Sequence, residues 1–162
     1  MNVESTIEDL EAQAYFESIE KPSREHEETP IVRISFLALD EAEIFLKAPM
    51  LGTDFIAGFN LKSESASMHW LLIPIISIQR IAVISGSLQR VRIVISAEQV
   101  LNKKLIGSKV SISQGMSFPR LAGELIGAVD GSLELEHAGT SYLPISSIRF
   151  LLVEKFGTDN KD

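Results

Sequence analysis

From residue 30 onward the chain is built of short apolar runs in which apolar and polar positions alternate. In VRISF, Val32, Ile34 and Phe36 fall on one face and Arg33 and Ser35 on the other; in KVSIS, Val110 and Ile112 share a face. A period of two is the signature of a half-buried strand. The runs predict strands near 31–39, 43–48, 54–61, 69–74 and 79–84, and a second set near 109–114, 120–129, 132–137, 140–144 and 148–154. Helical spacing occurs twice. Residues 5–20, STIEDLEAQAYFESIE, begin with Ser5 and Glu8 spaced as a capping box; Ile7, Leu10 and Ala14 line one face, and Tyr15, Phe16 and Ile19 broaden it. Pro22 ends that helix, and KPSREHEET (21–29) reads as a linker. Between the two strand sets, Ser96 and Gln99 form a second capping box. It predicts a short helix over 97–105 that buries Val100, Leu101 and Leu105, carries Lys103 and Lys104 near its end, and closes at Gly107.

The two strand sets echo each other. WLLIPIISIQRI (70–81) returns as SYLPISSIRFL (141–151). Aligning Pro74 with Pro144 matches Ile73 with Leu143, Ser77 with Ser147 and Ile78 with Ile148, and leaves Arg80 and Arg149 one residue out of step. Upstream, LGTDFIAGF (51–59) resembles VDGSLELEH (129–137), which pairs Phe55 with Leu133 and Ala57 with Leu135. The first copy is longer between these strands, and LKSESASM (61–68) takes the surplus as a polar hairpin loop. Duplication predicts a mainly β chain: two tandem small antiparallel β-barrels packed as one pseudo-symmetric unit. The expected organisation is an acidic helix and linker (1–29), a first repeat (30–89), a connector with a short helix (90–108), a second repeat (109–156) and a polar tail (157–162).

Charge sharpens this division. Residues 1–29 hold nine acids and two bases, which accounts for the whole net charge of −7; the remainder is balanced. No net positive field exists to attract nucleic acid, although Arg90, Arg92, Lys103, Lys104 and Arg120 form a candidate basic patch. There is no cysteine, which excludes disulfides and thiolate metal sites. The longest apolar run, around Trp70–Ile76, is far below the roughly 20 residues that span a bilayer, and the acidic N-terminus does not read as a signal peptide. A cytoplasmic protein without membrane contact is expected.

The segment SKVSISQG…RLAGELIGAVDGSLELEHAGTSYLPISSIRFLLV resembles the Sm-like small-barrel pattern: an alternating strand, a glycine-bearing second strand, an Asp turn, a third strand, and a Pro-turn-strand ending. IGSKV…LPISSI is also similar to PRC-type barrels, which implies docking onto proteins or ribonucleoproteins. Over nearly its full length the chain resembles an uncharacterised actinobacterial-type family with an acidic DLEAQ-type helix, here Asp9-Leu10-Glu11-Ala12-Gln13, followed by two Sm-like copies. The RNA-binding Sm pattern places an Asn after the Asp turn; here Asp130-Gly131-Ser132-Leu133 is followed by Glu134. A carboxylate offers no donor to a base or phosphate.

Chemistry-bearing motifs are sparse. No P-loop, G-x-S-x-G, G-x-G-x-x-G or His-Glu-x-x-His motif occurs. His26 falls in the acidic linker, His69 and His137 at strand ends, and Glu124, Glu134 and Glu136 read as solvent-facing strand positions. No catalytic residue, metal site or cofactor is predicted. The leading expectation is a non-enzymatic interaction module that meets a protein partner, or another copy of itself, through a barrel edge or the helix face of Ile7, Leu10, Ala14, Tyr15, Phe16 and Ile19. Nucleic-acid binding through the basic patch is the alternative, and an enzyme the third reading.

Overall fold

The computed structural model describes residues 30–37, 42–61, 69–86, 93–115 and 118–157. The expected 5–20 helix, most of the 61–68 loop, Arg90 and Arg92 lie outside these residues. All ten expected strands form: β1 (Ile31–Phe36), β2 (Ile44–Leu51), β3 (Phe55–Asn60), β4 (Trp70–Pro74), β5 (Ile78–Ser85), β6 (Lys109–Ser113), β7 (Leu121–Val129), β8 (Ser132–Glu136), β9 (Thr140–Pro144) and β10 (Phe150–Lys155). The helix α1 spans Ala97–Lys104. Its capping box is the expected one: the Gln99 N–H donates to the Ser96 hydroxyl, and the Ser96 N–H donates to the Gln99 side-chain carbonyl.

The strands make one antiparallel sheet in the order β5-β1-β2-β3-β4-β10-β6-β7-β8-β9. Each half therefore repeats one order, its last strand followed by its first four. The sequence predicts two small barrels; the ladder is a single open sheet with β5 and β9 at its ends, because β4 and β10 pair across the halves. The echo between the copies is structural. Pro74 and Pro144 both precede a 3₁₀ turn, Ile75–Ser77 and Ile145–Ser147, and the Ser77 and Ser147 hydroxyls donate to the Pro74 and Pro144 carbonyls at 2.9 and 2.8 Å. The last strands even share a bulge. Val83 faces Val32 and Ser85 faces Ile31, skipping Ile84; Val153 faces Val110 and Lys155 faces Lys109, skipping Glu154.

Register corrects the expected alignment upstream. Pro74 faces Phe55 and Ile73 faces Ile56, whereas Pro144 faces Ser132 and Leu143 faces Leu133. The counterpart of Leu133 is thus Ile56, not Phe55. A slip of one residue exchanges faces in a strand, and β3 hid it because both its faces are apolar and buried. Arg149 likewise corresponds to Gln79, and Arg80 to Phe150. The β7–β8 hairpin turns on Asp130-Gly131, both with positive φ (54° and 80°), as a type I′ turn requires.

Two cores interlock across the β4–β10 ladder, where Leu72 faces Leu151, Leu71 faces Leu152 and Trp70 faces Val153. The first core gathers Val32, Ile34, Leu46, Ile56, Leu71 and Ile73, and takes Phe150 and the flank of Leu152 from the second half. The second gathers Val110, Ile112, Leu125, Leu133 and Leu143 with Ala97, Val100 and Leu101 of α1, and takes Met50, Phe55, Ala57, Trp70 and Leu72 from the first half. The single tryptophan is buried here, its ring 6.1 Å from that of Phe156.

Because each core holds side chains of the other half, both halves should unfold together. Denaturant unfolding followed by Trp70 fluorescence and by far-UV circular dichroism is expected to give one coincident transition. Leu151→Ala should lower stability by roughly 2–5 kcal/mol without splitting it. Two separate transitions would contradict the shared cores.

Candidate interaction site

A strand at a sheet end keeps one side of its backbone unpaired, and such an edge is a template for a further strand. Among the described strands, β5 pairs only with β1, and β9 only with β8. On β5 the skipped residue at the bulge puts two apolar side chains in succession at the surface: Val83 is 47% and Ile84 52% exposed. On β9, Thr140, Ser141 and Tyr142 are exposed, Tyr142 by 67%, and only Leu143 is buried. Neither edge carries lysine. Arg80 is the one charged residue of β5, and β9 has none.

Comparison of the halves shows why β9 is an edge and β4 is not. Residues that project from β3 and β4 away from the first core are Phe55, Ala57, Leu72 and Trp70, all buried in the second core together with Ala97, Val100 and Leu101 of α1. By register their counterparts on β8 and β9 are Ser132, Glu134, Tyr142 and Thr140. The same surface is apolar and buried in the first half, and in the second it is polar, half-buried on β8 and exposed on β9.

The α1 helix is held in this position from both sides. The Ala97 N–H donates to Asp54 Oδ1 at 2.8 Å, tying the helix N-terminus to the turn before β3. Asn102 behaves as a short strand neighbour: its Nδ2 donates to the Ala128 carbonyl at 2.6 Å, and the Ala128 N–H returns to its Oδ1 at 2.8 Å. β6 pairs with β7 only from Leu121 to Glu124, so this amide takes over where β6 has ended. The Gly131 N–H donates to Glu98. Sequence reading placed the helix but missed Asp54 and Asn102, since their partners lie 43 and 26 residues away.

The candidate basic patch is divided. Lys103 and Lys104 are exposed in the last turn of α1, where the helix dipole favours cations. Arg120 lies just before β7, on the order of 25 Å of extended chain from the Ala128 backbone that Asn102 grips. It stacks instead over the Phe150 ring, 5.1 Å from its centroid. Arg90 and Arg92 lie outside the described residues, as do Ile7, Leu10, Ala14, Tyr15, Phe16 and Ile19. Glu124 and Glu136 face each other on β7 and β8, with Lys109 on the other side of Glu124. Lys109, Gly123, Glu124, His137 and Glu154 line a shallow surface depression. Among the described residues no group of three or more histidine, aspartate or glutamate side chains is placed to hold a metal ion. No described helix is long and apolar enough to cross a membrane.

Comparison with protein-family models, curated proteins and solved structures finds no match to this chain.

Asn102→Ala should cost roughly 1–3 kcal/mol, because it leaves the Ala128 N–H and carbonyl without their amide partner. Hydrogen exchange should show the loss as faster exchange at Ala128, with β1 unaffected. Equal acceleration throughout the sheet would mean that Asn102 has no local bracing role.

Proposed function

We propose that this chain is a non-enzymatic protein-interaction module whose Sm-like or SH3-like halves serve to present an open strand edge to a partner. The carrying observation is that β5 and β9 end the sheet among the described strands, with Val83, Ile84 and Tyr142 exposed. Strand addition supplies backbone hydrogen bonds for affinity and alternate side chains for specificity. The acidic 5–20 helix belongs to the same proposal as a second presenting element. A nucleic-acid reading needs one continuous basic face, and Arg120 stands apart from Lys103 and Lys104, so edge presentation is favoured.

The test is affinity capture with the intact chain, with Val83→Lys, with Tyr142→Lys, with Lys103→Glu/Lys104→Glu, and without residues 1–29. Edge presentation predicts that an edge substitution removes bound protein while the double glutamate variant retains it. Loss only on removing residues 1–29 would assign the role to the helix. Salt-sensitive retention of RNA or DNA that Lys103→Glu/Lys104→Glu abolishes would replace the proposal with the nucleic-acid reading.

A further inference from the structure

Where the two Pro corners meet, one end of the sheet carries apolar side chains at its surface with arginines beside them. Leu37, Ile76 and Phe118 are each more than half exposed. Hydrogen bonds across the halves bring them to this end. The Leu37 N–H donates to the Ser77 carbonyl at 3.0 Å, the Ser77 hydroxyl donates to the Arg149 carbonyl at 3.3 Å, and the Arg149 N–H donates to the Ser113 carbonyl at 2.7 Å. The Phe118 ring and Arg149 Nε flank Gly115, each 3.9 Å from the place a Cβ on that glycine would take. Arg149 Nε is buried without a hydrogen-bond partner among the described residues. Arg120 is exposed and stacks over Phe150, the residue next to Arg149. We infer that this surface is the resting place of the chain's own acidic segment, residues 5–20, docked in cis.

Three properties point to that occupant. The first is charge. Residues 1–20 hold six acids and no base, and guanidinium groups are the side chains best shaped to bind carboxylates. Glu43 lies toward the β2 side, where it accepts from the Ser35 hydroxyl at 3.2 Å, so the attraction acts on the Phe118 side, at Arg120 and Arg149. The second is apolar fit. A helix of this length is marginal in water, and its stripe of Ile7, Leu10 and Ala14, broadened by Phe16 and Ile19, needs a cover of the kind that Leu37, Ile76 and Phe118 offer. The third is reach. The described chain begins at Pro30, at the other end of β1 from Leu37. That strand covers roughly 20 Å, and the nine linker residues 21–29 extend to about 30 Å. Docking regulates the second presenting element of the proposed function: a docked segment withholds its apolar face, and a partner of the segment must displace it first. The inference rests on the helix reading of residues 5–20 and not on the open strand edges.

The decisive experiment places a spin label on the full-length chain. The protein has no cysteine, so Gln13→Cys, a polar position at the centre of the segment, gives a single attachment point. Amide NMR signals near the label broaden. Broadening is expected at Leu37, Ile76, Phe118 and Arg149, with Ser85 and Thr140 at the far end of the sheet left sharp. Arg120→Glu and Phe118→Ser should each restore the broadened signals, whereas Arg120→Lys should leave them broad; unchanged core chemical shifts show that each variant is folded. Mixing labelled chain with isotope-enriched chain that carries no label should broaden nothing. Sharp signals at Leu37, Ile76 and Phe118, equal broadening at Ser85 and Thr140, broadening that survives both Arg120→Glu and Phe118→Ser, or broadening seen only between copies would overturn the inference. None of these outcomes depends on Val83 or Tyr142, so failure here is distinguishable from failure of edge presentation, which the capture experiment reads.

Discussion

The pairing of β4 with β10 is the contact on which the rest of the structure depends. It brings strands 79 residues apart at the Leu72–Leu151 pair into one ladder and sends side chains through it in both directions. Leu71 enters the first core beside Phe150, while Leu72 and Trp70 enter the second beside Leu151 and Val153. Small all-β units bury too little surface to be robust when isolated. Two of them sharing strands gain a common interior, and the helix between them adds Ala97, Val100 and Leu101 to it. Asp54 and Asn102 then fix that helix to one half each.

The two halves repeat one strand order and differ in what surrounds it. Positions that fill each half's own core were kept alike in kind: Val32 and Val110, Ile34 and Ile112, Ile56 and Leu133, Ile73 and Leu143. The Pro-turn-Ser corner was kept to the level of its hydrogen bond. The outward face was not. Ala57 stands where the second half has Glu134, Leu72 where it has Tyr142 and Trp70 where it has Thr140. Those exchanges track burial, since the first member of each pair is buried in the second core, while Glu134 is half-buried and Tyr142 and Thr140 are exposed.

Much of this was legible in the sequence. Alternation located all ten strands, the capping box at Ser96 located α1, and the repeated phrase located the corners, because each is a local pattern with a local cause. Strand neighbours were not legible. Nothing in TSYLP or IQRIAVIS states which strand lies alongside, and β4–β10 pairing is a tertiary fact. The slip that matched Phe55 with Leu133 has the same root: alternation sets register only when one face is polar, and β3 has two buried faces. A signal for the open edges was nevertheless present in the contrast between WLLIP and TSYLP, two strands of equal length and equal ending whose middle residues differ in polarity.

That contrast bears on how permanent an edge contact can be. A strand that never parts from its neighbours can carry leucine and tryptophan, because those groups never meet water. A strand that spends time unpaired cannot, since a long, flat apolar edge recruits unwanted chains. β9 meets both demands: threonine, serine and tyrosine favour an extended backbone yet tolerate solvent, and no charge opposes a neighbour. β5 compromises similarly, with Arg80 near one end and a bulge at the other, the same bulge that β10 carries inside the sheet. Edges protected only by aggregation avoidance would be expected to carry lysine or an inward charge, and β9 carries neither. Its threonine, serine and tyrosine hold an extended strand at a solvent-facing edge without any charged residue.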